Sequence, residues 1–460
     1  MRKINLNEPI NRFLAKNKKN HPVSFHMPGH KYGRFSHRLN IRRYASYDIT
    51  EIPGADNIKK PEGIIKESIA GTAAIYGSKT AFYLTNGTTS GIHAIMKYVA
   101  LKGGKILLSR DCHISAVNGA ILFGVEVIFI TTEYINGMSV PASPKNVAGA
   151  IERNPDACAV MITSPNYYGK TADISKIAKI THSNDMFLIV DEAHGSHFAF
   201  AGLENLSGIN CGADIVCHSL HKTLPVYNQG AVLHICSKLI DVNVIRDSVN
   251  MLGTTSPSYP LLASMEKAVR FFSQKGKNMY GKLNKDIQAF KETVESDTAC
   301  SIIKNDDYSR IVIETSVNGF EAAGILHEKF HIDIEAADFS KIICIATPQN
   351  KKNDFRMLSN ALKTLGKSQK TVNNPDVPGL PEIKIPIADA HKMKKEPVPL
   401  DMAEGCICGT IIVSYPPGTP LICPGEIISG YAVNYIKKIM NAGGTVLGIE
   451  SNKIPVLEQT

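Results

Sequence analysis

No apolar run in this 460-residue chain approaches about eighteen residues, so no transmembrane helix is expected. The opening residues, Met1-Arg2-Lys3-Ile4-Asn5-Leu6-Asn7, carry no apolar core of the kind a signal peptide needs. There is no basic run with interleaved aromatics, and the net charge of +9 is mild for this length. It reads as scattered surface lysines, so nucleic-acid binding is not expected. The ten cysteines are dispersed, most in apolar settings, and Cys406-Ile407-Cys408 has no second pair at zinc spacing. A reducing cytoplasm is expected, with no metal site there. His26 and His30 are spaced as metal ligands on a helix would be, but Pro28 and Gly29 between them argue for a loop. Internal repeats and low-complexity tracts are also lacking.

What is present describes an ordinary globular protein, 43% hydrophobic and 20% charged. The length suits about two or three domains. The chain is organised around Cys217-His218-Ser219-Leu220-His221-Lys222-Thr223-Leu224-Pro225, entered from the apolar run Ala213-Asp214-Ile215-Val216-Cys217. That run reads as a buried strand. A lysine just past it, among histidines and hydroxyls, suits an imine-forming amine. A second strand, residues 186–190, ends in Asp191-Glu192-Ala193-His194-Gly195. Lys222 and Asp191 together suggest a pyridoxal phosphate site, because a carboxylate beside the pyridine nitrogen keeps it protonated and the ring an electron sink.

From about residue 62 the pattern alternates strand and helix. Strands are expected at 81–84, 105–109, 125–131, 159–163, 187–191, 215–219 and 231–235, in a mostly parallel wound sheet of the α/β class. After the first comes Thr85-Asn86-Gly87-Thr88-Thr89-Ser90-Gly91, then a helix over about 92–101. A hydroxyl-rich loop before a helix start favours an anion such as phosphate. No Gly-Lys-Ser/Thr closes it, so it is not a Walker loop. Asn86, His113, Asn166, Asp191, His194 and Lys222 all follow expected strands, where open α/β sheets bind ligands. The expected organisation is an arm (1–60), a large domain (61–295), a small α+β domain (296–367), a Pro-rich connection (368–400) and a C-terminal segment (401–460).

Several stretches together resemble the Orn/Lys/Arg decarboxylases of pyridoxal phosphate fold type I: 25–31, 48–56, 86–91, 111–113, 191–197, 219–225, 254–260 and 415–426. They lie in the family's order over nearly the whole chain, and the chain resembles the short form without an N-terminal wing domain. The resemblance implies roles. Lys222 matches the Schiff-base lysine and Asp191 the carboxylate on the ring nitrogen. His113 matches the histidine stacked on the ring, and Ala193 the small residue against its face, flanked by His194. Asn86, Gly87, Thr88 and Thr89 match the phosphate loop, with Ser219 and His221 as further phosphate contacts. Thr254 to Ser256 resemble a loop reaching the neighbouring subunit's phosphate, which implies a homodimer with sites at its interface.

Asn166, Ile114 and Cys406 stand where the family often has Thr, a basic residue and Arg. The implied reaction is α-decarboxylation of lysine, ornithine or arginine to a polyamine-pathway amine and CO2. Lys222 or His194 would move the proton, and Glu404 and Asp401 are candidates for the cationic tail. Three other readings fit the same residues in part: an aminotransferase or β-eliminating lyase, a silent pyridoxal phosphate-binding partner subunit, and a plain phosphate-binding α/β protein.

Overall fold

The computed structural model describes residues 7–19, 28, 31, 45–366, 375–415 and 418–458. His26 and His30 therefore lie outside the described residues. All seven expected strands form: β1 (Thr80–Leu84), β2 (Lys105–Ser109), β3 (Glu126–Ile130), β4 (Ala159–Thr163), β5 (Phe187–Asp191), β6 (Ile215–Ser219) and β7 (Ala231–Ile235). They make one sheet in the order β1-β7-β6-β5-β4-β2-β3. β4 and β5 are near-continuous apolar runs, as strands covered on both faces should be, and β6 is buried along its whole length. The chain divides into two compact units, Met1–Tyr98 with Glu192–Lys277, and Val99–Asp191 with Asn278–Thr460.

In the first unit, β7 runs antiparallel to both β1 and β6. β6 and β7 are consecutive, and their short connection cannot hold a full crossover helix. It turns back instead and carries Lys222. β1 and β6 thus run the same way on either side of β7, and their carboxyl ends come together: Ala231 pairs with Leu84 on one side and Ser219 on the other. In the second unit, β2, β3, β4 and β5 are parallel neighbours. Their carboxyl ends, with Ser109, Thr163 and Asp191, share one edge.

Helix α1 (Ile64–Tyr76) precedes β1, and α2 (Gly87–Lys102) follows it. α2 starts before the expected residue 92. The hydroxyl-rich stretch is its first turn rather than a loop ahead of it. Gly87 enters at φ +69°, a conformation glycine adopts without strain, and Ser90 Oγ donates to its carbonyl at 2.9 Å. The second unit adds a four-stranded antiparallel sheet that includes Arg310–Glu314 and Lys341–Ile345.

Residues 368–400, expected as a connection, contain a strand, Lys395–Pro399, paired with Lys453–Leu457. The C-terminal segment has its own core of Leu400, Cys408, Ile412, Ile422, Ile436 and Val456 among others. A helix over Gly430–Asn441 buries Ala432, Val433, Ile436 and Ile439, the 3.6-residue spacing of one apolar stripe, and is capped by Ser429. Among the described residues no helix is long and apolar enough to cross a membrane, and no cluster of His, Cys, Asp and Glu is arranged to hold a metal ion.

Candidate active site

In the first unit, β6 ends at Ser219 and passes straight into a single helical turn, Leu220–Thr223. Leu220 and Thr223 are buried, which leaves His221 and Lys222 half-buried on the other side of the turn. Leu224 is extended and Pro225 follows, so the turn cannot continue into a longer helix. Hydroxyls hold it: Thr223 Oγ1 lies 2.6 Å from Ser196 Oγ, which also reaches the Ser219 carbonyl at 3.4 Å. Lys222 Nζ lies 2.9 Å from His194 Nε2. His194 and Ala193 are both buried.

Beside that turn, Ser219 Oγ and Thr88 Oγ1 are 2.8 Å apart, which joins the end of β6 to the start of α2. The Gly87 N–H donates to the Gln229 carbonyl at 2.8 Å. No neighbouring heavy atom lies within 4 Å of where a Gly87 Cβ would sit. His221 Nδ1 is 3.0 Å from the Gly230 carbonyl, and burial, with Lys222 adding to it, lowers the pKa of the ring. Asn86 and Thr89 are exposed at the mouth of the same turn. Ser256 is exposed, and its N–H is held by Thr254 Oγ1 at 3.1 Å. Thr254, Asn86 and Ser90 share the lining of a cavity of about 470 Å3.

Behind the turn sits a polar network that sequence reading did not find. Glu192 is fully buried and accepts from Ser207 Oγ at 2.8 Å and from the Gly208 N–H, while His218 Nε2 faces it at 2.9 Å. Tyr76 packs on the rings of His218 and His234. Strand alternation explains the arrangement: Ser219 and His218 point to opposite faces of one strand.

In the second unit, Asp191 is buried at the end of β5, and its carbonyl accepts from the Ser164 N–H at 3.1 Å. Asp111 is buried on the same edge. Burial pushes its carboxyl up to about 7, and the Asp191 charge adds to that against the Ser109 hydroxyl and Asp111's own backbone N–H. His113 caps the helix α3 (Ile114–Phe123): Nδ1 accepts from the Ser115 N–H at 3.2 Å and faces Ser115 Oγ at 2.9 Å.

Asn166 serves the backbone. Its Oδ1 accepts from the N–H groups of Tyr168 and Lys170, and its Nδ2 donates to the Ser139 carbonyl. Asp401 is exposed and pairs with Lys437, and Glu404 is exposed against Gly430 at the start of a helix. Cys406 is half-buried, its Sγ 3.9 Å from the Met402 carbonyl.

Pyridoxal phosphate presents an aldehyde, a phosphate dianion and a ring nitrogen. The first unit brings a lysine amine, held by an imidazole, next to two hydroxyls at the start of a long helix with open space at Gly87. The second places a buried carboxylate at the end of β5 and a half-buried imidazole after β2, at the same edge of the sheet. The residues present fit the group.

The family model for the Orn/Lys/Arg decarboxylase major domain matches residues 8–354, and that for the C-terminal domain of the same family matches 380–452. The chain belongs to this family. It is a pyridoxal phosphate-dependent decarboxylase of the Orn/Lys/Arg type. This sets aside the aminotransferase, silent-partner and phosphate-binding readings. The chain is 30% identical over 479 residues to the arginine decarboxylase of Bacillus anthracis, covering 98% of this chain and 96% of that protein. It is 24% identical over 328 residues to the constitutive lysine decarboxylase of Escherichia coli, covering 64% of this chain and 45% of that protein. The fold is that of the Francisella novicida lysine decarboxylase, with a TM-score of 0.84 at 18% identity over 99% of this chain and 82% of that one.

Proposed function

We propose that this chain removes the α-carboxylate of a basic L-amino acid, L-arginine first among lysine, ornithine and arginine, to give CO2 and a polyamine-pathway amine. The relatives that match nearly end to end at 28–30% identity are mostly named arginine decarboxylases, whereas those named lysine decarboxylases match in part at 22–25%. The observation that carries the reaction is Lys222 Nζ, 2.9 Å from His194 Nε2 on a turn next to the Thr88–Ser219 hydroxyl pair.

Each residue has a role in this reading. Lys222 would hold the cofactor through its amine. Thr88 and Ser219, with Asn86, Gly87, Thr89 and His221, would hold the phosphate, and the dipole of α2 would favour the anion. Asp191 would keep the ring nitrogen protonated, His113 would stack on the ring, and the small Ala193 would leave room for it. Bound there, pyridoxal phosphate supplies the sink for the electron pair left on Cα as the carboxylate departs.

The Lys222 amine lies within hydrogen-bond reach of His194 Nε2. The two can pass between them the proton that returns to Cα. Ser256 comes from a second copy of the chain, in a homodimer with sites at its interface, and the enzyme works in the cytoplasm.

The test is a visible spectrum of the purified protein with pyridoxal phosphate, repeated for Lys222→Ala, followed by CO2 release from the three amino acids. We expect a band lost in the variant, with CO2 fastest from L-arginine. Fastest release from lysine or ornithine would overturn the substrate assignment. A band that survives Lys222→Ala would overturn the site.

A further inference from the structure

Two contacts bring the C-terminal segment onto His113. The first is direct. The Ile114 N–H donates to the Gly418 carbonyl at 3.0 Å, which satisfies a first-turn donor of α3 that has no partner within the helix. Gly418 has φ +92°, and a Cβ there would sit 3.3 Å from both Cδ2 and Nε2 of His113. Bare backbone therefore lies along that edge of the imidazole.

The second runs through Arg110, three positions before His113 in sequence. Its guanidinium is buried and binds Glu426 through both carboxylate oxygens, Nη1 to Oε1 at 2.6 Å and Nη2 to Oε2 at 2.9 Å. Nη2 also donates to the Leu421 carbonyl at 2.9 Å, and the plane lies over the Phe129 ring. Glu426 Oε2 accepts the Cys423 N–H at 2.6 Å. The strand Thr419–Ile422 runs from Gly418 into this grip. Arg110 thus holds the strand that follows Gly418, whose carbonyl binds the Ile114 N–H next to His113.

The other edge of the ring is already engaged. Nδ1 accepts from the Ser115 N–H, so in the neutral ring the hydrogen sits on Nε2, the edge Gly418 faces. A histidine's second side-chain torsion is soft. Ser115 bounds the ring at its Nδ1 edge, and the Gly418 backbone bounds it at the Cδ2–Nε2 edge. Offset stacking on another ring depends on the angle between the planes.

We infer that Gly418, held in place by the Arg110–Glu426 pair, is a positioning residue for His113, and that the C-terminal segment thereby sets the plane of the imidazole that meets the cofactor. This rests on the reading that His113 stacks on pyridoxal phosphate. Alanine at 418 meets the ring and also strains a backbone at positive φ.

A double-mutant cycle tests the inference. Apoprotein is titrated with pyridoxal phosphate, and the Lys222-dependent band and its circular dichroism are followed. The proteins are wild type, Gly418→Ala, His113→Ala and the double variant, each with an apoprotein melting temperature. In the His113 background, Gly418→Ala should weaken cofactor binding about tenfold and alter the visible dichroism; with His113 removed it should cost less than about twofold.

The same loss in both backgrounds, or none in either, overturns the inference. If Gly418→Ala does not fold, Glu426→Asp, which keeps the charge of the pair and shortens its reach, goes through the same cycle with the same two outcomes. Two failures lie elsewhere and are distinguishable. Absence of any Lys222-dependent band in wild type removes the cofactor site itself. An unchanged affinity in His113→Ala removes the stacking role, and the positioning role with it.

Discussion

The Lys222 turn and the His113 turn both follow a strand of the main sheet, yet they are built differently. The Lys222 turn is held by neighbours: Ser196, Thr223 and Ser219 in the hydroxyl network, with Leu220 buried beneath. The His113 turn is held by residues more than three hundred positions away in sequence, through Glu426, Leu421 and Gly418. The Lys222 turn is already set by the strand end, the proline and short-range hydrogen bonds. The turn carrying His113 has its buried charge and its first helical N–H satisfied by the C-terminal segment. Short-range contacts cost little chain entropy to close, and a buried ion pair can stabilise a remote docking only if both charges arrive together.

The largest expected effect breaks the distant half of this comparison. Glu426→Gln leaves the buried Arg110 charge uncompensated and should destabilise the apoprotein by about 3 kcal/mol or more, read by denaturant unfolding. A loss below about 1 kcal/mol would mean that the segment docks without the pair.

A smaller effect separates binding from stability at the near turn. Ser219→Ala removes the hydroxyl opposite Thr88 and should weaken cofactor binding about tenfold. The apoprotein melting temperature should fall much less than in Glu426→Gln. Unchanged affinity in a cofactor titration would remove Ser219 from the phosphate site.

The smallest concerns the entry to α1. The Asp56 carboxylate accepts backbone N–H groups from Asn57, Glu62, Gly63 and Ile65. Burial raises its pKa, but these donors prevail and hold it below the usual carboxylate range. A depressed carboxyl contributes stability that is complete above its unfolded pKa and fades as pH falls through the folded one. Asp56→Asn should therefore cost about 1 kcal/mol at neutral pH. The gap to wild type should close as pH drops below about 4. A gap independent of pH would show that the amide fills the same role.

All seven strands of the main sheet were legible because apolar runs of strand length, separated by helical periods, leave few alternatives. The direction of β7 was not, since it depends on the β6–β7 connection being a single turn rather than a crossover helix. The helical start of the hydroxyl-rich stretch was not legible, because Gly87 starts the helix early and its threonines lie inside the first turn. Arg110 and Glu426 each stood within or beside a stretch that was already of interest. Nothing in a linear pattern says that two charges more than three hundred residues apart will meet in a dry interior, and no local propensity encodes such a pairing.

By itself, then, the sequence determined the α/β class, the strand ends that carry Lys222 and Asp191, and membership of a decarboxylase family. Those follow from local periodicity and short motifs, which act within a few residues of each other. The tertiary structure decided the rest: that His194 meets Lys222, that Thr88 meets Ser219, that Glu192 and His218 form a buried network behind the strands, and that Gly418 lies on His113. Each of these joins segments whose approach is set by strand order and by the docking of a remote segment, and burial makes the approach decisive, because a polar group removed from water must find its partner there.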